Sequence, residues 1–481
     1  MYLYCEDKNE NINTIKKRST LGDFMGIRFI LSVWICKLTR VLLRILKRGG
    51  TALPGKAALF ICPKALAKLS EGVETIIVTG TNGKTTTCSL IAGSFEAKGM
   101  RVLANRAGAN LLSGITAEFA AGASLLGKSK YTHAVIECDE AALKLVAPLL
   151  RPKVIVVTNL FRDQLDRYGE VMHTLGAIRA GVQEAPGAIL CLNADCSLTS
   201  SIAGERDGEV LYFGIDTALP GVGEAASSDA PRCIVCGAEY EYEYRTFGHL
   251  GGFFCPSCGY RRHAADVSVS TVQRLGSDGS EAQFTVRGEN HDLKLALPGS
   301  YNLYNAASAL TALMAVGFDL EAAAESMTEA KGSFGRMERF VLGDVEIRMI
   351  LIKNPAGCDR VIEYLASVEG DFLPVLCLND RIADGVDVSW IWDVDFERFV
   401  GEREYSQFVI SGDRAEDMRL RLKYAGAREE HIRLERDTAE LVRIIQDSKV
   451  PVYIMPNYTS MLALRQALSR VCGTGEFWEA S

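Results

Sequence analysis

Apolar residues fall into two series of short runs separated by stretches of helical period. From about Glu74 to Asn193 the runs TIIVTG, RVLAN, HAVIECD, KVIVVTN and AILCLN alternate with helical patterns. Strands buried on both faces read as near-continuous apolar runs, so this βαβ rhythm predicts a largely parallel sheet covered by helices. Helical signal returns over Asn302 to Val316 and continues to about Ala330. A second βαβ series begins near Val345, with strands expected at VEIRMILI, FLPVLCLN, QFVIS and VPVYIMP. The fold class is therefore α/β. The expected division is an extension over 1–50, a central domain over 51–335 and a Rossmann-like domain over 336–481, with an insert at about 230–262.

The N-terminal stretch follows neither series. Met25 to Lys47 is apolar but interrupted by Arg28, Lys37, Arg40, Arg44 and Lys47. Its longest uncharged run, Phe29 to Cys36, is too short for a bilayer core of roughly 30 Å. Lys37, Arg40, Arg44 and Lys47 recur every three or four residues and share one helical face, away from Leu38, Val41, Leu42, Ile45 and Leu46. Two readings follow: a basic amphipathic helix resting on an anionic membrane surface, or a helix packed on the core with its charges in water. The following RGGTALPG, Arg48 to Gly55, reads as a turn-rich connector.

Composition narrows the class. A chain of 481 residues with 48% apolar and 23% charged residues is ordinary for a soluble globular enzyme. Its net charge of −7 argues against generic nucleic-acid binding. Of 14 cysteines, four form one constellation and ten are scattered through apolar stretches, a usage that suits a reducing cytoplasm.

The sharpest chemical signal is TIIVTGTNGKTTT, Thr75 to Thr87. An apolar strand runs into Gly80-Thr81-Asn82-Gly83-Lys84-Thr85-Thr86, and a helical stretch follows. Glycines let consecutive backbone N–H groups turn toward phosphate oxygens at a helix N-terminus; Lys84 adds a positive charge, and the Thr85 hydroxyl can join a Mg²⁺ shell. The spacing departs from the generic phosphate loop, because Val78 occupies the place of its first glycine.

The second signal is Cys233-x-x-Cys236 and, after eighteen intervening residues, Cys255-x-x-Cys258, with Gly237 and Gly259 after the pairs. Two such knuckles complete a tetrahedral Zn²⁺ site, and four protein ligands make that metal structural. Tyr240, Tyr242, Tyr244 and Phe247 between them read as alternation on a short zinc-ribbon strand. A third signal is the loop after the strand FLPVLCLN, which carries Asp380, Asp384, Asp387, Asp393 and Asp395. Loops beyond strand ends of open α/β sheets are where ligands bind, and carboxylates there can hold a cation or take a proton from ammonium. The loop LIKNPAG, Leu351 to Gly357, is of the same kind.

The form T-G-T-N-G-K-T-T resembles the phosphate loop of the Mur ligase superfamily, which includes folylpolyglutamate synthases. The resemblance continues at Glu137 in VIECDEA, at Thr158-Asn159-Leu160 with Asp163 and Asp166, at Asn193-Ala194-Asp195, at PGSYNLYNAASAL with Asn302 and Asn305, and at GRMERF, Gly335 to Phe340. It implies an enzyme that phosphorylates a carboxylate with ATP so that an amine can attack the acyl phosphate. Lys84 would then bridge the β- and γ-phosphates, Thr85 and Glu137 would hold Mg²⁺, and Asn302 and Arg336 would help bind ATP. Gln164 and Tyr301 stand where many members have a histidine, which leaves a second metal position open.

With the cysteine pairs, the acidic loop, ISGDRAEDMRLRLKYAG and MPNYTSMLALR, nearly everything after about residue 27 resembles the MurT family, synthetase subunits of lipid II isoglutaminyl synthase. That resemblance implies amidation of the D-glutamate α-carboxylate of the lipid II stem peptide, with ammonia from a GatD-type glutaminase and Asp384 as the C-terminal catalytic carboxylate. About 70 residues precede the phosphate loop, too few for a UDP-sugar-binding domain, and no G-x-C-x-G nucleophile elbow is present. Both facts favour a lipid-linked substrate and ammonia delivered by a partner. A folylpolyglutamate-synthase-like amino-acid ligase is the alternative, and it predicts neither zinc ribbon nor partner.

Overall fold

The computed structural model describes residues 7–46, 52–105, 109–163, 171–205, 207–219, 229–276, 278–329 and 337–472, with the backbone alone for 7–25. Gln164, Asp166 and Arg336 lie outside the described residues.

The first series builds a nine-stranded sheet. Its strands are β1 (Glu74–Thr79), β2 (Val102–Ala104), β3 (His133–Glu137), β4 (Val154–Val157), β5 (Ile189–Asn193), β6 (Val210–Ile215), β9 (Val267–Leu275), β10 (Ser280–Val286) and β11 (Glu289–Leu295). The order is β11-β10-β9-β6-β5-β4-β1-β3-β2. Pairing is parallel from β2 through to β9, and β10 and β11 add an antiparallel hairpin edge. β1 and β4 are buried almost throughout, which explains their unbroken apolar runs. Helices α3 (Lys84–Ala97), α4 (Leu112–Gly122), α5 (Leu143–Leu150), α6 (Val171–Gln183), α7 (Tyr301–Ala315) and α8 (Leu320–Thr328) belong to this half. One apolar core joins its sheet and helices.

Strand β6 and the β9–β11 meander had no counterpart in the strand readings of the sequence. In β10, SEAQFTV, burial alternates residue by residue, so its apolar signal is half as dense as that of a fully buried strand.

The second series forms a six-stranded sheet of order β12-β13-β17-β14-β15-β16. The strands are β12 (Glu338–Leu342), β13 (Val345–Met349), β14 (Leu373–Cys377), β15 (Phe408–Ser411), β16 (Ile432–Leu434) and β17 (Val452–Pro456). All pairings are parallel except β12 with β13. Val375 and Cys377 of β14 enter one apolar cluster while Leu376 enters the other, so this sheet is packed on both faces. Helices α9 (Pro355–Ala366), α10 (Ala415–Tyr424), α11 (Thr438–Gln446) and α12 (Tyr458–Cys472) accompany it.

Between β6 and β9 stands the cysteine insert, whose hairpin is β7 (Glu241–Phe247) and β8 (Leu250–Phe254). On β7, Glu241 and Glu243 are exposed while Tyr242 and Tyr244 are half-buried. The tyrosine hydroxyls bond inward, Tyr242 to the His249 carbonyl at 3.2 Å and Tyr244 to that of Ile215 at 2.8 Å.

The N-terminus departs from the expected division in its helices and in where two of its basic side chains go. Helix α1 runs over Asp7–Ile45, and α2 (Ala52–Ile61) already begins inside the segment read as connector. Pro54 is tolerated because it lies in the first helical turn, where the missing N–H has no intrahelical partner. Gly55 is required by packing: a Cβ there would lie 1.7 Å from the Ser113 carbonyl oxygen of α4. Of the basic side chains of α1, Arg28 and Arg44 are exposed, but Lys37 and Arg40 turn toward α4. Lys37 donates to the carbonyls of Ala121 and Ala123 at 3.0 and 2.8 Å, and Arg40 pairs with Glu118 at 3.5 Å.

Candidate active site

The loop from β1 to α3 has the backbone that its glycines allow. Gly80 and Gly83 have φ of 114° and 87°, and Gly83 forms the N-cap of α3. Space is equally restrictive. A Cβ on Gly80 would come 2.5 Å from Thr158 Oγ1, and one on Gly83 would come 2.2 Å from Asn305 Oδ1. Asn159 clamps the loop, accepting from the Asn82 N–H at 3.0 Å and donating to the Asn82 carbonyl at 3.1 Å. Thr81 Oγ1 accepts from the Phe161 N–H at 3.0 Å, and Thr86 is buried in the first turn of α3. Asn302 and Asn305 hydrogen-bond each other at 2.9 Å at the start of α7, against Gly83.

Lys84 is buried and held by three acceptors: Glu140 Oε1 at 2.7 Å, the Thr81 carbonyl at 3.3 Å and the Gly80 carbonyl. Burial alone would lower its pKa, but the Glu140 and Glu137 carboxylates reverse the sign and raise it. The ammonium is therefore charged at neutral pH. Thr85 Oγ1 donates to Glu137 Oε2 at 2.7 Å, and Asn105 fixes the Glu137 backbone by a reciprocal pair at 2.8 and 2.7 Å. Asp163 is close by: its Oδ2 accepts from Lys353 at 2.5 Å, while its Oδ1 is buried without a hydrogen-bond partner. A hydroxyl, a carboxylate and an orphaned carboxylate oxygen beside a phosphate loop are oxygen donors of the type that Mg²⁺ takes.

Asp384 is buried in the loop after β14. Its two oxygens accept from the Thr459 N–H at 2.7 Å and the Thr459 hydroxyl at 2.5 Å, at the start of α12. Next to Thr459, burial pushes up the phenol of Tyr458, and the Asp384 and Glu137 carboxylates push it further. One side chain thus feels both the C-terminal carboxylate and the phosphate-loop carboxylate. The two halves also touch directly, through Lys353–Asp163 and through Asn354 Nδ2 to Asn82 Oδ1 at 3.2 Å. Asp387 lies further along the loop, its side chain bonded to the Ser389 N–H at 2.8 Å.

The sequence reading missed Glu140, Lys353 and Tyr458. All three stand inside segments that it quoted, VIECDEA, LIKNPAG and MPNYTSMLALR. Only folding brings them to Lys84, Asp163 and Asp384.

The four cysteine sulfurs converge within 4.8 Å of one another, with 3.6 Å between Cys233 and Cys258 and 3.5 Å between Cys236 and Cys255. Bonds of about 2.3 Å from a central Zn²⁺ put tetrahedral sulfurs about 3.8 Å apart, so the donor set fits this ion. The insert is joined to the catalytic core by a buried network. Tyr304 of α7 donates to Asp195 Oδ2 at 2.5 Å and shares a 2.5 Å bond with Thr246 of β7, while Arg262 reaches Asp195 Oδ1 at 2.6 Å. Arg360 of α9 stacks 3.5 Å over the Phe247 ring and bonds Ser300 at 2.9 Å.

Known proteins match this arrangement along the chain. Residues 78–249 match the Mur ligase middle domain, and 351–461 match the MurT ligase C-terminal family. The lipid II isoglutaminyl synthase (glutamine-hydrolyzing) subunit MurT of Streptococcus pneumoniae is 32% identical over 448 residues, covering 92% of this chain and 98% of that protein. Its Staphylococcus aureus counterpart is 32% identical over 440 residues, 91% of this chain and 97% of that one. Among solved structures, MurF from Acinetobacter baumannii superposes with a TM-score of 0.63 at 17% identity, over 86% of this chain and 80% of MurF. Folylpolyglutamate synthase of Mycobacterium tuberculosis gives 0.60 at 14% identity, over 91% and 99%. These two likenesses speak to the fold alone. With the phosphate loop, the cysteine insert and the C-terminal sheet each in its place, the chain belongs to the MurT family of the Mur ligases.

Proposed function

We propose that this chain is the synthetase subunit of a lipid II isoglutaminyl synthase. It uses ATP to amidate the D-glutamate α-carboxylate of the lipid II stem peptide, giving D-isoglutamine for peptidoglycan synthesis, with ammonia from a GatD-type glutaminase. The observation that carries this reading is the match to glutamine-hydrolyzing MurT subunits over more than nine-tenths of both chains. A lipid-linked substrate places the work in the cytoplasm, at the inner face of the membrane. Among the described residues no helix is long and apolar enough to cross that membrane.

The residues support the chemistry in the following way. The loop Gly80 to Thr86 cradles the triphosphate with its backbone N–H groups, and Asn302 and Arg336 help bind ATP. Lys84, charged and pre-aimed by Glu140, bridges the β- and γ-phosphates. Thr85 and Glu137 would hold Mg²⁺, which neutralises phosphate charge when bound. A substrate carboxylate oxygen attacks the γ-phosphorus and ADP leaves. Ammonia then attacks the acyl carbon and inorganic phosphate leaves. The proton lost from nitrogen goes to Asp384, whose carboxylate Thr459 holds in one orientation. Positioning and charge neutralisation supply most of the rate. Cys233, Cys236, Cys255 and Cys258 hold a structural Zn²⁺.

The direct test is ADP release by the purified chain with lipid II and ammonium chloride. Continuous turnover should require both, and Lys84→Ala should reduce it by about 10³-fold or more. Asp384→Asn should remove amide formation while ATP still binds. ATP turnover that needs an amino acid in place of ammonium would defeat the reading.

A further inference from the structure

Helix α1 is turned the wrong way round for an ordinary surface helix, whose apolar stripe faces the core. Its inward side carries Ser32, Val33 and Cys36, with Lys37 and Arg40 tied to α4. Its outward side presents Leu31, Trp34, Leu38, Leu42 and Ile45, between 44% and 71% exposed. Trp34 donates its Nε1–H to the Leu125 carbonyl at 2.8 Å, which joins the loop after α4 to this face. In that loop Leu126 is 73% exposed, and at the end of α2, Phe60 is 88% exposed.

We propose that this three-part apolar face docks on an anionic lipid bilayer. The charge pattern selects that occupant. Residues 25–70 contain nine Lys and Arg and no Asp or Glu, in a chain whose net charge is −7. Arg28, Arg44, Lys56, Lys64, Lys128 and Lys130 are all exposed. A second copy of the chain would bring this basic rim against itself. Exposed apolar side chains accompanied by exposed cations are what binds the headgroup boundary of anionic lipid. The apolar positions from Ile27 to Ile45 span about 27 Å along the helix, enough to lie flat on a surface but broken by charges that bar insertion across it.

The docked face adjoins the site. A cleft of about 460 Å³ is lined by Leu59, the neighbour of Phe60, and by Leu111, Asp139, His173 and the Glu140 that holds Lys84. Bilayer docking would thus set α2 between the lipid surface and the phosphate loop. This last link rests on the lipid-linked substrate reading, whereas the docking itself does not.

The test uses the full chain with vesicles of phosphatidylglycerol and phosphatidylcholine, and with phosphatidylcholine alone. The chain should co-sediment with the anionic vesicles, with a blue shift of tryptophan emission that Trp34→Phe removes, and binding should fall roughly tenfold without the anionic lipid. The double variant Leu38→Glu, Ile45→Glu should bind at least roughly tenfold more weakly, yet keep ammonium-dependent turnover of a short-chain, water-soluble lipid II analogue. Equal vesicle binding by variant and parent would overturn the proposal. So would unchanged vesicle binding combined with a loss of the glutaminase partner or a change in oligomeric state, which would make the face a protein interface. Failure of the parent chain on the soluble analogue would count against the ligase reading and leave the vesicle result standing.

Discussion

At the scale of single residues, the phosphate loop shows how closely local chemistry was written in the chain. Lys84 and Thr85 could be picked out from their place after the glycines, and Glu137 from the resemblance to the Mur ligases. Glu140 could not be, because its partnership with Lys84 joins residues 56 apart. Gly83 is a sharp test of the loop. Alanine there must adopt φ near 87° and drive its methyl into Asn305. The left-handed conformation alone costs about 1–2 kcal/mol, so Gly83→Ala should weaken ATP binding by more than about tenfold, as titration calorimetry would read. Asp359 offers a pH signature away from the loop. Burial pushes its carboxyl up to about 6, the Asp395 carboxylate adds to this, and the Asp395 N–H, Arg360 and Arg398 oppose it. A raised folded pKa means that the folded state binds the extra proton, so this stability is full below the unfolded pKa. It is lost as pH climbs from about 4 through about 6. Asp359→Asn should flatten that part of the curve of unfolding midpoint against pH. An unchanged slope would show that the group titrates normally.

At the scale of elements, legibility followed burial. Strands buried on both faces announced themselves; the β9–β11 meander, with polar residues between its apolar ones, did not, and the apolar run of β6, VLYFGI, was passed over. Helix α2 was hidden behind Pro54 and Gly55, residues that ordinarily mark turns but here start a helix and admit α4. The spacing of the cysteine pairs was legible, and the four sulfurs do meet. The attachment of their module through Tyr304, Thr246 and Asp195 was not, since those residues are distant in sequence. The module has its own core of only four buried side chains, Cys233, Tyr240, Phe253 and Cys255. Such a core is too small to fold without a metal. On the proposal that the four thiolates hold Zn²⁺, a chelator should therefore unfold the insert, release Tyr304 and Arg360 from β7, and lower ligase turnover together with the thermal midpoint. Zinc content, near-ultraviolet dichroism and ADP release measured on the same sample would check this. Full activity in metal-free protein would disconnect the insert from the site.

At the scale of the whole molecule, the two βαβ series predicted two parallel sheets, and two such sheets are present. What no linear pattern carried is how the halves meet. Lys353 bonds Asp163 and Asn354 bonds Asn82, so the C-terminal half closes over the phosphate loop. The Tyr458 phenol, raised first by burial, also feels the Asp384 and Glu137 carboxylates, one from each half. A catalytic space formed by both halves is the central claim, and the identity of the product tests it most directly. Lipid II would be incubated with ATP, isotopically labelled ammonium and the purified chain, then with glutamine and the GatD-type subunit, and the stem peptide would be fragmented in a mass spectrometer. The account predicts label on the α-carboxamide of the D-glutamate residue, transfer from glutamine only with the partner present, and no product from Lys84→Ala or Asp384→Asn. Label elsewhere, or an added amino acid in place of an amide, would contradict it.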